Sequence, residues 1–459
     1  MIIFIVLTLF RLPFLISSSW MTIPELSWMI VGERMNDGAL LYVGIWDDIG
    51  PFSAITFRTI DFIFGRSQLA LQLFGLILFF FQIFYMNYIS LKHKMYNENN
   101  YLPALFYGIL GLTFFNIITL SPQLLGLTFV LLSLNSLFNH IETRSKTDGN
   151  LLNIGLYIGI ASLFFIPYFI MVLVHILGLL VFTNTAIRRY LLLIYGIIIP
   201  FILCWLVYAW FGNTYEFYAN YLHSLFSIET DHFITYRSFF IVLGATILFF
   251  FLAALKILAG FGFTIFQVRI QKTMFFGALI SLFIFMVFSA RDGYSLIMFF
   301  PWVAFFLSHF FISIRHSVKR EISFLFYFIS VIVLYFGIAF NAFNLEKIID
   351  FNSLLLKAEN SQMDFENKKI LVLGPDISPY YSGLQATPYF NWNLSKKHFE
   401  HLQFYDNMEL IDRNLRSDIP DVIIDQIDLA PELFNSIPIL GSEYINIGDG
   451  IYERKKLNN

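Results

Sequence analysis

Apolar runs long enough to cross a bilayer recur through the first 343 of 459 residues, and they fix the class of fold before any motif is weighed. A helix rises 1.5 Å per residue, so about 17 to 25 apolar residues span a hydrocarbon core about 30 Å thick. About eleven such runs are read, near 1–18, 68–91, 102–120, 122–139, 151–166, 168–187, 191–212, 238–262, 274–290, 295–314 and 322–343. The pairs flanking Pro122 and Pro167 also suit kinked or re-entrant segments. Charge divides the chain at the same place. The first 343 residues hold 18 Lys/Arg and 14 Asp/Glu, net +4, and the last 116 hold 11 and 18, net −7. Overall 13% of residues are charged, about half the usual soluble value, and only the tail has ordinary soluble composition. The expected organisation is a transmembrane domain over 1–343, with a first loop at 19–67, and a small soluble domain over 344–459. This excludes a soluble enzyme, a nucleic-acid binder and a disordered chain. The lone Cys204 lies in an apolar run, so no disulfide or Cys-based zinc site forms within the chain.

Orientation follows from Lys and Arg in short loops. Lys92 and Lys94, Arg144 and Lys146, Arg188 and Arg189, Arg269 and Lys272, and Arg315, Lys319 and Arg320 mark every second loop. These loops are expected on the cytoplasmic side, with the N-terminus. The alternate loops, 19–67, near 121, near 167, 213–237 and 291–294, and the C-terminal domain then face outward. Ser17, Ser18 and Ser19 make a weak cleavage site without a basic n-region, so the first span reads as a retained helix.

The tail reads as α/β. Lys369–Gly374 and Asp421–Asp425 are short apolar strands, and Tyr444–Arg454 alternates around Gly448-Asp449-Gly450, a hairpin signal. Helical stretches lie near 396–416, and Asp376 reads as a turn or cap residue.

The first loop is too aromatic to be a linker. A helix is expected over Ile23–Asn36, then a turn at Asp37-Gly38. A second, amphipathic helix follows Pro51, with Phe52, Ile55, Thr56, Ile60 and Ile63 on one face. Thr22-x-x-Glu25 has the form of a capping box, with Pro24 in the first turn. Asp48 suits an N-cap for the second helix, Asp47 a solvated neighbour, and Glu33 and Asp37 surface and turn positions. Arg11 lies inside the first span, where a charge needs an internal partner or snorkels to the interface.

The order of these residues resembles a known family. Glu25 just past the first span, Gly38, Leu41-Tyr42, Trp46, Asp48, Pro51 and Phe64-Gly65-Arg66-Ser67 are followed, much later, by Arg291, Tyr294 and Pro301-Trp302. This series is similar to the polyprenyl-phosphate-sugar glycosyltransferases of the GT-C superfamily, on the dolichyl-phosphate-mannose-protein mannosyltransferase-like branch. The resemblance implies an α-helical polytopic GT-C-like membrane protein of about 11 spans with a small C-terminal α/β extracytoplasmic domain. It implies an inverting transfer from a polyprenyl-phosphate sugar donor to a glycan, lipid or protein acceptor outside the cytoplasmic membrane. Glu25 is then the general base, with Asp48 as a second catalytic carboxylate. A cation near the departing phosphate is also needed, and Arg291, Arg237 and Arg58 are candidates, with Tyr294, His232 and Gln123 as substrate-side residues. The plainer alternatives for Arg291 are pairing with Asp292 or snorkelling to lipid headgroups.

Departures accompany the resemblance. Pro24 precedes Glu25 where many members carry a second carboxylate beside the first. Gln123 stands where an acid often begins the fourth span, and an amide lacks the charge a divalent cation wants, so a metal is not supported. Ile49-Gly50-Pro51 replaces the family's Lys-Pro-Pro. The loop 213–237, with Tyr215, Glu216, Tyr218, His223, Glu229, Asp231, His232 and Tyr236, is suited to cover an acceptor. Other readings are a non-catalytic GT-C-like subunit of an envelope complex, an O-antigen polymerase or ligase, and a transporter. The last two sit poorly with the placement of the large loops and with the absence of a repeat. If the chain is bacterial, the carrier is undecaprenyl phosphate and the tail is periplasmic.

Overall fold

The computed structural model describes residues 2–16, 20–142, 148–183, 185–226, 232–258, 263–340, 345, 348–349, 353–356 and 365–455. Ser17, Ser18, Ser19, Arg144, Lys146, Glu229 and Asp231 lie outside the described residues. The chain separates into two compact units.

The first unit comprises Met1–Trp20, Gln68–Val207 and Ser227–Leu354. Among the described residues seven helices are long and apolar enough to cross a membrane: Gln68–Lys92, Pro122–Glu142, Ile187–Trp210, Tyr236–Ile257, Ile265–Phe288, Tyr294–Ile312 and Ser317–Ile338. Ile5–Phe14 and Ile166–Phe182 are shorter apolar helices. The expected run at 102–120 is a helix only over Leu102–Leu110. From Gly111 to Ser121 the backbone turns irregularly, and every residue is buried. Irregular backbone survives at membrane depth only inside protein, where its polar groups find partners. Arg11 supplies one set. It is 1% exposed, and its guanidinium donates to the Phe115 carbonyl at 2.9 Å and to Thr119 Oγ1 at 3.3 Å, so this charge is partnered internally and does not snorkel. Gly75 admits the segment: a Cβ there would meet the Ile118 carbonyl oxygen at 2.2 Å. Polar contacts pin the helices elsewhere too. Gln82 Nε2 donates to the Leu124 carbonyl and Thr128 Oγ1, and the Tyr107 hydroxyl donates to Gln82 Oε1.

The second unit comprises Met21–Ser67, Tyr208–Phe226 and Leu355–Asn459. Its sheet has five strands: β1 (Lys369–Leu373), β2 (Leu384–Gln385), β3 (Val422–Asp425), β4 (Tyr444–Gly448) and β5 (Ile451–Arg454). Their order is β2-β1-β3-β5-β4; β1 runs parallel to β2 and β3, and β5 runs antiparallel to β3 and β4. The hairpin turns at Asp449, φ 50°. Helices Trp392–Phe399 and Tyr405–Ser417 add Phe399, Ile411 and Leu415 to a core with Leu371, Leu373 and Ile423. Asp376 accepts the Ser378 N–H at 3.0 Å, a turn role.

The first loop belongs to this unit, as two helices, Ile23–Asn36 and Pro51–Phe64. They stack Trp28 on Phe57 at 5.4 Å. Two arginines fasten them to the α/β part. Arg34 pairs with Asp418 at 2.7 Å. Arg66 pairs with Glu33 and donates to the carbonyls of Tyr380 at 2.7 Å and Gly383 at 3.1 Å. Glu33 is thus an ion-pair partner, not a free surface acid.

Candidate functional site

Within the second unit the Trp46-Asp47-Asp48 turn is gripped on both sides. Before it, Tyr42 holds φ 70°, a left-handed conformation uncommon for a residue with a Cβ. Such backbone persists where its surroundings over-determine it. The Tyr42 N–H donates to the Ile45 carbonyl at 2.9 Å and its hydroxyl to the Ile49 carbonyl at 2.6 Å. Asn220 Nδ2 donates to the Tyr42 carbonyl at 3.0 Å. The ring packs with Tyr208, Phe217 and Tyr221 at 5.5 to 5.9 Å. At the turn itself, the Trp46 N–H donates to the Pro388 carbonyl at 2.7 Å, and the Asn391 N–H donates to the Trp46 carbonyl at 3.1 Å. The indole meets Tyr389 edge-on at 5.0 Å and lies 5.2 Å from the His398 ring.

The two acids of this turn differ from expectation. Asp47 is 6% exposed, not solvated, and its Oδ1 accepts the Ile49 N–H at 2.8 Å. Burial, then the neighbouring Asp48 charge, pushes its carboxyl up to about 8. Asp48 does not cap the next helix: Gly50 is the N-cap residue, with no side-chain bond. Asp48 keeps exposed surface while protein crowds it, and that crowding raises its carboxyl too. Among the described residues no cation pairs with it.

Glu25 is 1% exposed. Its Oε2 accepts the Thr22 N–H at 3.3 Å, and Thr22 Oγ1 accepts the Glu25 N–H at 3.3 Å, so the capping box is formed. Arg58 is at the other end of that helix. Its Nε donates to Asn36 Oδ1 at 3.2 Å, eleven residues or about 16 Å along the helix from Glu25. Arg58 therefore does not join Glu25.

In the first unit His232, Arg237, Arg291 and Tyr294 come to one end. The Phe233 N–H donates to the Ala290 carbonyl at 2.8 Å, which lays the segment holding His232 beside the turn holding Arg291. Arg291, φ 52°, sets its guanidinium 4.0 Å from the Tyr236 ring centroid, a cation–π contact. It does not pair with Asp292, whose Oδ1 instead accepts the Ser295 N–H at 2.9 Å and hydroxyl at 2.6 Å. Tyr294 is buried at the start of the turn Tyr294–Phe299, and Arg237 is exposed in the first turn of Tyr236–Leu258. Gln123 begins the helix Pro122–Glu142, which packs on the same turn. Its Oε1 is buried without a hydrogen-bond partner among the described residues. Sequence reasoning passed over Asn116, which is 2% exposed, with neither amide atom partnered among the described residues and its Oδ1 against Gly293. An amide inside an apolar run was the available signal. Among the described residues no three His, Cys, Asp or Glu side chains gather as a metal would need.

No protein-family model matches the sequence, and no curated protein is significantly similar to it. Solved structures are similar in fold. ArnT from Cupriavidus metallidurans, bound to undecaprenyl phosphate, superposes with TM-score 0.55 at 12% identity, over 84% of this chain and 85% of that one. The apo state of ArnT gives TM-score 0.48 at 13% identity over 83% of each chain. With its helices long and apolar enough to cross a membrane and its small C-terminal sheet, the chain thus shares the fold of ArnT.

Proposed function

We propose that this chain is an integral-membrane glycosyltransferase that moves a sugar from a polyprenyl-phosphate donor to an acceptor on the outer side of the cytoplasmic membrane. The observation that carries the proposal is the likeness, over 84% of the chain, to ArnT with undecaprenyl phosphate bound. In this reading the N-terminus is cytoplasmic and the C-terminal domain extracytoplasmic. The acceptor oxygen attacks the anomeric carbon and gives its proton to a first-loop carboxylate. The bond from that carbon to the phosphate oxygen breaks, and the phosphate keeps the electron pair. Arg291, fixed by Tyr236 and free of Asp292, is assigned to the charge developing on that phosphate. Glu25 and Asp48 are the candidate proton acceptors. The family resemblance favours Glu25; the exposed carboxyl, without a cation partner among the described residues, favours Asp48. Crowding that raises a carboxyl toward neutral pH improves it as a base.

The test is consumption of a panel of undecaprenyl-phosphate sugars by the purified full chain with crude envelope acceptor. Release of undecaprenyl phosphate that depends on acceptor is expected. If no donor in the panel is consumed, the reading gives way to a non-catalytic subunit, which Gln123 in place of an acid also suits.

A further inference from the structure

The membrane unit carries a concave surface away from the Arg291 turn. An open groove of about 320 Å³ is lined by Val181, Phe182, Phe263, Ile265, Val268, Arg269 and Lys272. Five of these are apolar and two are cationic. Arg269 and Lys272 are three residues apart on one helix, so they share a face. Neither has an ion-pair partner among the described residues, although Arg269 is half-buried. At the helix start Thr264 Oγ1 accepts the Gln267 N–H at 3.2 Å and Gln267 Oε1 accepts the Thr264 N–H at 3.0 Å, so a capping box takes up two of the N–H groups there. The helix Ile265–Phe288 begins at this groove and ends at the turn that holds Arg291, and Phe288 lies about 28 Å along it from Arg269. The groove and the Arg291 turn are therefore at opposite ends of a span.

We propose that this groove is a binding site for an anionic phospholipid, with the headgroup phosphate on Arg269 and Lys272 and an acyl chain along the apolar wall. Two cations without an ion-pair partner among the described residues select negative charge. The apolar wall selects a lipid over a free phosphate, and a groove at the end of a span draws its occupant from the surrounding leaflet. Cations placed only to set topology would need no apolar wall.

The experiment is native mass spectrometry of the delipidated full chain in detergent, titrated separately with phosphatidylglycerol, phosphatidylcholine, inorganic phosphate and undecaprenyl phosphate. One phosphatidylglycerol is expected to bind well before any phosphatidylcholine. The double variant Arg269→Gln, Lys272→Gln is expected to bind it about 30-fold more weakly. If the double variant does not fold, Lys272→Gln alone removes an exposed side chain and is expected to cost about fivefold. Equal binding of the two phospholipids, or a folded variant that binds like wild type, overturns the site. Competition by inorganic phosphate alone would make it a free-anion site, and preferential binding of undecaprenyl phosphate would make it a donor site. Either result overturns the phospholipid assignment.

Discussion

Glu25 and Asp48 stand in one loop, and the protein holds them by different means. Glu25 is buried, and its carboxylate accepts a backbone N–H at the start of a helix. Its position is an outcome of local sequence: threonine, proline and glutamate at cap spacing. Asp48 caps nothing. Its backbone neighbours do the holding instead, through Trp46 to Pro388 and Asn391, and through Tyr42 to Ile45, Ile49 and Asn220. One carboxylate is part of its own support; the other is presented by a support it does not join. The second arrangement keeps an exposed acid available to an outside group, held internally by its own backbone N–H.

Isosteric neutralisation is the strongest way to break this comparison. Asp48→Asn keeps size and is expected to slow transfer by about 10²- to 10⁴-fold, without lowering the thermal midpoint. Glu25→Gln also keeps the capping box, since Gln at the third helical position serves it as well. A similar loss of rate in Glu25→Gln with the midpoint unchanged would place the proton acceptor at Glu25 and leave Asp48 a lesser part. If both variants turn over donor like wild type, neither carboxylate is the base.

Removing the support is expected to act next most strongly. Trp46→Ala takes an indole off the core that contains Tyr389 and Phe399, at a cost of about 3 kcal/mol. Leu415→Ala in the same core, remote in sequence from the loop, is the matched control. At equal loss of stability, Trp46→Ala is expected to lower kcat further than Leu415→Ala, with Trp46→Phe in between. Equal kcat in the two variants would mean that the indole only fills space.

Local signals explain which parts were readable in advance. The capping box, Pro51 at a helix start and Gly448-Asp449-Gly450 each encode structure within a few residues, and each appears where expected. The run at 102–120 misled because hydropathy reports burial, and a buried irregular segment scores like a span. Arg11, which satisfies that segment, is over a hundred positions away. The same distance hid Asp47. Its neighbours Tyr42 and Trp46 are held by a loop near 220 and a segment near 390, and three separate stretches build the second unit. Nothing local to Asp47-Asp48 distinguishes which of the two faces inward.

Asp47 gives the effect that is sharpest in pH. Its carboxyl is pushed up to about 8 in the folded protein, while an unfolded aspartate titrates near 4. Below about pH 4 both states are protonated and the group contributes no pH dependence. Between about 4 and 8 the unfolded chain has released the proton and the folded one still binds it, so stability falls as pH rises. Above about 8 the loss is complete. Asp47→Asn cannot ionise, and its side-chain oxygen can still accept the Ile49 N–H. The variant is therefore expected to melt close to wild type at pH 5 and several degrees higher at pH 9. Asp47→Ala leaves that N–H unpaired and is expected to melt lower at pH 5, by about 1 kcal/mol of stability. Parallel melting curves for Asp47→Asn and wild type from pH 5 to 9 would mean that Asp47 is ionised throughout. Burial would then not set its charge, and the turn would hold two anions side by side.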